Sequence, residues 1–493
     1  ICGRGGTGRR AALRSLWDFS LGSSTLLGRT KRIFMELGDK DRELAEERST
    51  LEVNLKTINE YILKDNKIEL SKIIKDLHNA DIAEIIQNLD SNDRLNFISK
   101  IKSYFNPEIL TYLSESIREE IIENLDIKQL AFNASELDID DALDVIEDLE
   151  EYDKEVFLDN IPETERKLIQ EGLTFPQDSA GRLMQREFVS MNVDWNVGQA
   201  IDSLRRNKEG LPEDFYEIYL LNLKNKIEGT VPLGKLMGSK RETELKNIKN
   251  KKTRTINVLM DQEEVAFQFN KYAMVSAPVI NENGEIIGSI TVDDVVDVIE
   301  EEREEDILKL GGVGQADIYD AVIDTTKSRF SWLLINLFTA VIASIVIGFF
   351  QASIEKIVAL AVLMPIVASM GGNAGTQTLT VSVRALATKE LTASNAIKII
   401  TKETFVGGIN GIIFAIIIGV LSSYWFSDNL LGIVIAMAMI VNLIIAGMAG
   451  ILIPLTLNKF NIDPALASGV ILTTITDVFG FLSFLGLATL LLI

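Results

Sequence analysis

One carboxylate stands near the middle of a long apolar run at the end of the chain. Asp477 is the only charged residue in the run 464–493. A carboxylate at the centre of a bilayer costs about 2.5–3.5 kcal/mol on insertion scales. Such a residue usually faces a water-filled path and meets a cation there. Asp477 therefore indicates an ion pathway.

The neighbours of this carboxylate suit a hydrated cation. Thr473 and Thr474 precede Asp477 by four and three residues, so the three side chains share one face of a helix. Mg²⁺ keeps most of its water shell and is commonly held by one or two carboxylates, so a lone carboxylate among hydroxyls and carbonyls suits it. A dimer would place two copies of Asp477 around one axis. The alternative is a structural carboxylate paired with a polar side chain of another span. The candidates for that pairing are Asn336, Asn410 and Asn442.

A second polar stretch lies in an apolar run further upstream. Residues 371–378 read Gly-Gly-Asn-Ala-Gly-Thr-Gln-Thr, six residues after Pro365. This composition predicts a break or bend in a membrane helix, which is tolerated where the backbone lines a cavity. Asn373 and Gln377, four residues apart, would then point into a pore. The alternative is a packing contact between small residues. The predicted pore-lining residues are Gly372, Asn373, Gln377 and Thr474.

Apolar runs long enough to cross a bilayer occur five times after residue 329. They cover residues 330–350, 356–386, 402–426, 429–457 and 464–493. Basic residues lie in the loops after the second and fourth runs, and the loop after the third has none. The positive-inside rule therefore places the N-terminal half in the cytoplasm and the C-terminus outside.

The charge of the chain is divided unevenly. The net charge is -22, yet the part from residue 330 onward has six basic and six acidic residues, so the excess of acid lies before it. An acidic soluble half disfavours nucleic acid, which needs clustered Lys and Arg, and suits divalent cations. With one cysteine, Cys2, and one histidine, His78, an internal disulfide is impossible and a Cys/His zinc site or Cys–His catalytic pair is disfavoured. Oxygen ligands favour Mg²⁺ or Ca²⁺.

The soluble half divides into four parts by composition and periodicity. Residues 1–32 are rich in Gly, Arg and Ser, and we expect a misassigned start or a transit peptide there, outside the fold. Residues 33–172 predict an acidic domain of short, repeated helices. Residues 173–300 predict two units in which a strand, a turn and a strand lead into a helix, and these look like tandem CBS domains. Residues 301–328 predict a connecting helix interrupted at Gly311-Gly312.

The connecting segment carries a stripe of acids. Asp317, Asp320 and Asp324 follow each other at i, i+3 and i+7, on one helix face. Like charges at this spacing repel by a few tenths of a kcal/mol per pair, and a bound cation would remove the repulsion. A solvated face on a linker helix is the alternative. The predicted fold is therefore mainly α: a helical-repeat N-domain, a tandem α+β CBS pair, a connecting helix and a five-helix membrane domain.

These parts together resemble the MgtE family of magnesium channels. The motifs that carry the resemblance are residues 291–294, 305–311, 365–377, 463–468 and 477–480. The resemblance implies a homodimeric Mg²⁺-selective channel of the bacterial plasma membrane, with the pore on the dimer axis and Asp477 at its central site, where the backbone at Thr473 contributes. It further implies that cytosolic Mg²⁺ binds among the soluble domains and closes the pore. Asp293 and Asp317 match the sensor positions, and the acidic stripe adds Asp320 and Asp324. The resemblance leaves ATP binding at the CBS pair open.

Two other functions fit parts of this pattern. A carrier coupled to Na⁺ or H⁺ would need a second carboxylate deep in the membrane, and Asp477 is the only one that lies deep in a predicted span. A membrane-anchored nucleotide or Mg²⁺ sensor would use the CBS pair and leave Asp477 without a role. An enzyme is disfavoured because no nucleophile–base set or phosphate loop is visible.

Overall fold

The computed structural model describes most of the chain after residue 76. The described residues are 58, 70, 74–75, 77–101, 105–134, 137–207, 211–212, 215–250, 252–313 and 322–493. They fall into two compact units, one within Ile1–Leu137 and Val145–Asn160 and the other within Asp138–Asp144 and Ile161–Ile493. The predicted extension 1–32 lies outside the described residues, as do Asp317 and Asp320 of the acidic stripe.

Short helices form the first part of the described chain, as the sequence predicts. They are α1 (Asn79–Gln87), α2 (Ser91–Ile101), α3 (Glu115–Glu123), α4 (Ile127–Ala134), α5 (Ile139–Glu147), α6 (Glu151–Asn160) and α7 (Glu163–Gly172), with a 3-10 helix at Pro107–Tyr112. Two arginines with little exposed surface link the helices of this part. Arg94 donates to the Ile86 carbonyl at 3.0 Å and pairs with Glu120, and Arg118 pairs with Asp148.

Two small sheets with the same topology follow, which confirms the predicted tandem CBS pair. The elements are α8 (Ala180–Leu183), β1 (Ser190–Asn192), α9 (Val197–Arg206), β2 (Glu217–Leu221), β3 (Ile227–Pro232), α10 (Leu233–Met237), α11 (Leu245–Ile248), β4 (Ile256–Asn257), α12 (Gln262–Tyr272), β5 (Ser276–Ile280) and β6 (Ile286–Thr291). The strand orders are β1-β2-β3 and β4-β5-β6. In each sheet the first pair is parallel and the second antiparallel.

The last strand of the second sheet leads directly into a long acidic helix, α13 (Val292–Leu310). A capping box begins this helix, because the Asp294 carboxylate accepts hydrogen bonds from the Thr291 N–H at 3.3 Å and the Thr291 hydroxyl at 2.7 Å. The helix ends before Gly311, and Gly312 has a φ of 69°, which only glycine adopts easily. The predicted interruption at these two glycines is therefore confirmed.

The membrane half consists of α14 (Val322–Gly348), a short α15 (Gln351–Lys356), α16 (Ala359–Ala387), α17 (Ala396–Phe426), α18 (Asn429–Lys459) and α19 (Pro464–Leu492). Among the described helices, five are long and apolar enough to cross a bilayer. Their spans are Thr325–Gly348, Ala359–Ala387, Ala396–Phe426, Asn429–Lys459 and Ser468–Leu492. This confirms the predicted number. Helix α18 is the most buried of them, and its Leu431, Val434 and Ala438 lie in the core of the membrane half.

The predicted break in the second span is wrong. Helix α16 runs without interruption through residues 371–378 and contains Pro365. Its glycines serve as contact points instead: a Cβ added at Gly375 would lie 2.9 Å from the Leu472 side chain of α19. Threonines in this stretch return hydrogen bonds to their own helix, as Thr376 does to the Gly372 carbonyl at 2.9 Å. Neighbouring helices thus stabilise a segment whose local composition favours a break.

Candidate functional site

Asp477 lies near the middle of α19, fourteen residues after Asp463, the N-cap of that helix. Its side chain is half-buried, and among the described residues no group donates a hydrogen bond or forms an ion pair to it. The alternative, a structural pairing of Asp477 with an asparagine, is not seen among the described residues. Asn336 and Asn410 are exposed, and Asn442 donates its amide to the Val367 carbonyl at 2.8 Å. The carboxylate is thus left available to an ion.

The two threonines before Asp477 keep their hydroxyl protons within the helix. Thr473 donates to the Gly469 and Val470 carbonyls, both at 3.1 Å, and Thr474 donates to the Val470 carbonyl at 2.7 Å. Each hydroxyl oxygen keeps lone pairs for a cation or for its water shell. Thr473 is exposed and Thr474 is half-buried. This face of α19 therefore presents the hydroxyl oxygens of Thr473 and Thr474 one turn before the Asp477 carboxylate.

The amides of α16 lie on the face of that helix turned away from its glycine contacts. Asn373 is two residues, or about 200°, from both Gly371 and Gly375, and its side chain is exposed. Gln377 is exposed as well, and a Cβ at Gly372 would meet nothing within 4 Å. Among the described residues, neither amide forms a hydrogen bond with Asp477. Within one copy of the chain, these predicted pore-lining residues therefore have no direct contact of this kind with the carboxylate.

An acidic pair lies in the soluble part of the second unit, where Asp140 faces Asp294. Burial, and then the charge of Asp294, raise the pKa of Asp140 well above its ordinary range. Its Oδ1 is buried without a hydrogen-bond partner. Burial also raises the pKa of Asp294 to about 6, and the amide of Gln185 lies 3.4 Å from its carboxylate. Asp293, the residue chosen from the sequence, is exposed beside this pair.

A second acidic cluster joins α12 and α13 to the start of α19. Burial, followed by the charges of Glu302, Asp261 and Asp306, raises the pKa of Glu263 to about 7. Burial and then the neighbouring Asp463 raise the pKa of Asp306.

One lysine offsets this cluster. Lys309 Nζ lies 2.7 Å from Asp463 and 2.5 Å from Glu305. Burial works to lower the pKa of Lys309, but the hydrogen bonds to these two carboxylates outweigh it and raise the pKa above the ordinary value of 10.5.

Sequence reasoning overlooked most of these soluble residues. Asp294 reads as a helix cap in the sequence, Asp140 as one of many acids in the helical repeat, and Lys309 as part of a family motif. Only the fold brings Asp140 to Asp294, so no local signal could have paired them. The side chain of Asp324 lies outside the description.

The described residues contain no group of three or more His, Cys, Asp or Glu side chains arranged to hold a metal ion. The described residues therefore do not fit a divalent cation that has lost its water shell and is coordinated by protein side chains alone. A single half-buried carboxylate with hydroxyl neighbours fits a hydrated ion, which needs few protein ligands. Two facing carboxylates fit a cation that removes their repulsion.

Comparison with known proteins assigns the same parts. The profile described as "Divalent cation transporter" matches residues 364–487, "MgtE intracellular N domain" matches 77–178, and "CBS domain" matches 245–301. The Magnesium transporter MgtE of Enterococcus faecalis is 32% identical over 321 residues, which cover 65% of this chain and 71% of that protein. The chain belongs to the MgtE family.

Other MgtE proteins are similar over almost their whole length. The Magnesium transporter MgtE of Bacillus subtilis is 29% identical over 430 residues, which cover 87% of this chain and 95% of that protein. A crystal structure of the cytosolic domain of the Mg²⁺ channel MgtE in complex with ATP matches 50% of this chain and 99% of that one, with 25% identity and a TM-score of 0.45. The chain is thus a membrane protein with the MgtE division into an intracellular N-domain, CBS domains and a membrane domain.

Proposed function

We propose that this chain forms a homodimeric Mg²⁺ channel of the bacterial plasma membrane, which cytosolic Mg²⁺ closes. The soluble half lies in the cytoplasm and the C-terminus outside. In this proposal Asp477 holds hydrated Mg²⁺ near the middle of the bilayer, with the Thr473 backbone and the Thr474 hydroxyl beside it. Named relatives are magnesium transporters, which supports the choice of ion.

The observation that carries the proposal is the unpaired carboxylate of Asp477 in the middle of a membrane helix. The other acid well inside a described span is Glu403, and it has an ion-pair partner in Lys402 at 3.3 Å. An unpaired carboxylate in hydrocarbon is so costly that water or a cation must accompany it. A second exposed polar face, with Asn373 and Gln377 on α16, likewise needs water or a partner copy rather than lipid. A pore between two copies satisfies both faces.

The proposal is tested with the full chain reconstituted in liposomes that contain a Mg²⁺-sensitive dye. Wild type should admit Mg²⁺ and carry current without a Na⁺ or H⁺ gradient. Asp477→Asn should lower the flux by at least about tenfold, which corresponds to ~1.4 kcal/mol. The matched control is Asp428→Asn, which removes a carboxylate that caps α18 from the loop after the third span.

Asp428→Asn keeps an acceptor oxygen for the Leu430 and Leu431 N–H groups, so its flux should equal that of wild type. Full Mg²⁺ flux through Asp477→Asn would contradict the proposal. Flux that requires a Na⁺ or H⁺ gradient would favour a carrier instead.

Closure by cytosolic Mg²⁺ is proposed from the facing carboxylates of Asp140 and Asp294. With no cation present, burial and mutual repulsion destabilise the ionised pair, as the raised pKa values of both groups indicate. A divalent cation between them would favour the packed arrangement, and its loss would favour opening. Asp293 at the rim adds charge to the same site. The predicted contributions of Asp317, Asp320 and Asp324 remain part of this proposal.

This step is tested by protease protection of the full chain during a Mg²⁺ titration. Asp294→Asn keeps an acceptor for the cap at Thr291 but removes one charge, so half-protection should require about fivefold or more Mg²⁺. Glu300→Gln, an exposed position on the same helix, is the matched control and should titrate as wild type does. Equal titrations for all three proteins would remove Asp294 from the sensor. ATP binding at the CBS pair stays a prediction.

A further inference from the structure

One buried amide connects three helices of the membrane half. Asn442 of α18 has no exposed surface, and its Nδ2 donates to the Val367 carbonyl of α16 at 2.8 Å. A Cβ added at Gly371 of α16 would lie 2.2 Å from this Nδ2, and one added at Gly480 of α19 would lie 2.9 Å from it. Two glycines thus make room for the amide, one on each neighbouring helix.

This amide is a poor choice if its purpose is only to fill the core. Its Oδ1 is buried and has no hydrogen-bond partner among the described residues. A buried acceptor left without a donor destabilises a fold, and a leucine of similar size would fill the same space without that penalty. A residue that breaks a packing rule in this way is expected where function requires it.

The two contact points of the amide lie next to the proposed ion pathway. Gly480 follows Asp477 by three residues, so the amide contacts the turn of α19 that begins at the carboxylate. Gly371 precedes Asn373 by two residues on α16. In an α-helix the Val367 carbonyl also accepts the hydrogen bond of the Gly371 N–H. The Asn442 amide therefore donates to the same turn of α16 that it packs against at Gly371.

We propose that Asn442 is a positioning residue of the ion pathway, and this inference rests on the function proposed above. The bond from Nδ2 to Val367 fixes α16 along its axis against α18. The contact with Gly480 fixes the separation of α19 from the same point. Together they hold the Asp477 carboxylate at a set height and distance relative to the α16 face that bears Asn373. A hydrophobic side chain could hold the separation but not the axial position.

The test compares Mg²⁺ flux, Mg²⁺-over-Ca²⁺ preference and thermal unfolding of the full chain in liposomes or detergent. Asn442→Leu should unfold at the same temperature as wild type or higher, while its flux falls about tenfold and its preference for Mg²⁺ weakens. Ser422→Ala is the matched control, because the Ser422 hydroxyl on α17 is also fully buried without a hydrogen-bond partner. That variant should keep wild-type flux and preference.

A second pair of variants guards against a folding defect in Asn442→Leu. Gly480→Ala leaves the amide in place but pushes it with a Cβ, so its flux and ion preference should change in the same direction. Gly486→Ala, on the same helix, would have only Phe350 at 4.0 Å and should behave as wild type does.

The results separate the two proposals. Wild-type flux and ion preference in both Asn442→Leu and Gly480→Ala would overturn the positioning role. A loss of flux that is accompanied by an equal loss of thermal stability, with the ion preference unchanged, would overturn it as well. Asp477→Asn is measured alongside. If Asp477→Asn loses flux while Asn442→Leu and Gly480→Ala both keep wild-type flux and preference, only the positioning role fails. If wild type carries no Mg²⁺, the proposed function fails first.

Discussion

A close contact between two helices of the membrane half allows a sharp test of how the scaffold is held together. Helices α17 and α18 approach each other at glycines of both helices. A Cβ at Gly407 would lie 2.5 Å from the Leu443 carbonyl oxygen, whereas a Cβ at the next residue, Gly408, would meet nothing nearer than the Ile444 side chain at 3.8 Å. The two glycines are adjacent in one helix, so Ala at either position gains the same helix propensity, about 1 kcal/mol.

The magnitude follows from the geometry at Gly407. An ordinary contact begins near 3.4 Å, so Gly407→Ala must move one backbone away from the other by about 0.9 Å. The obstacle is a carbonyl oxygen, which cannot rotate away as a side chain can. Overpacking of this kind costs about 1–3 kcal/mol. We therefore expect Gly407→Ala to be about 1–3 kcal/mol less stable than Gly408→Ala, while Gly408→Ala equals or exceeds wild type.

The measurement is equilibrium unfolding of the full chain in mixed micelles, with both variants and wild type at one detergent ratio. The difference between the two alanine variants is the informative quantity, because helix propensity and loss of glycine flexibility cancel in it. Equal stabilities for Gly407→Ala and Gly408→Ala would show that close backbone approach does not stabilise this helix pair. The packing roles of Gly371 and Gly480 beside Asn442 would then be refuted as well.

Two further predictions concern the acidic cluster beside the membrane. The pKa of Glu263 is raised to about 7, so the stability that this group contributes is complete below about pH 4.5 and is lost as the pH rises through 7. Glu263→Gln should therefore flatten the fall in thermal midpoint between about pH 4.5 and 7, while Glu282→Gln, in the turn between β5 and β6, should leave that fall unchanged. An unaltered slope in Glu263→Gln would refute this assignment. Lys309→Met leaves Asp463 without its ion-pair partner on α13. This variant should lower the hydrogen-exchange protection at the end of α13 by about 1 kcal/mol. Lys459→Met, at an exposed position, should leave that protection unchanged. Unchanged protection in Lys309→Met would show that the ion pair does not hold α13 to α19.

The sequence predicted the order of parts well because each part has a strong local pattern. Apolar length marks the five spans, and the strand, turn and helix of the second CBS unit read directly from residues 276–294. The break predicted at residues 371–378 was wrong for a physical reason. Glycine and threonine weaken an isolated helix, but here Leu472 and Asn442 pack against the glycines, and tertiary contacts override local propensity.

Of the candidate site, only Asp477 could be predicted from the sequence. Asp477 stands out because it is the only charged residue in a run of 30 residues, and nothing local explains it. The facing of Asp140 and Asp294 depends on contacts across more than a hundred residues, and neither residue is unusual in an acidic domain. Asn442 could be named as polar within a span, but the two glycines that receive it are distant in sequence. Such pairings follow from topology alone.

The first turn of α19 has a consequence for how the protein can change over evolutionary time. Asp463 caps the helix by accepting from the Ala465 N–H at 2.7 Å and also receives Lys309 from α13. Asp477 lies fourteen residues further along the same helix, a distance of about 21 Å at 1.5 Å per residue. A helix is stiff along its axis, so a displacement at the cap reaches the carboxylate without any rearrangement between them. In evolution, substitutions around the cap can therefore change the position of Asp477 while the turn that is proposed to bind the ion keeps its sequence.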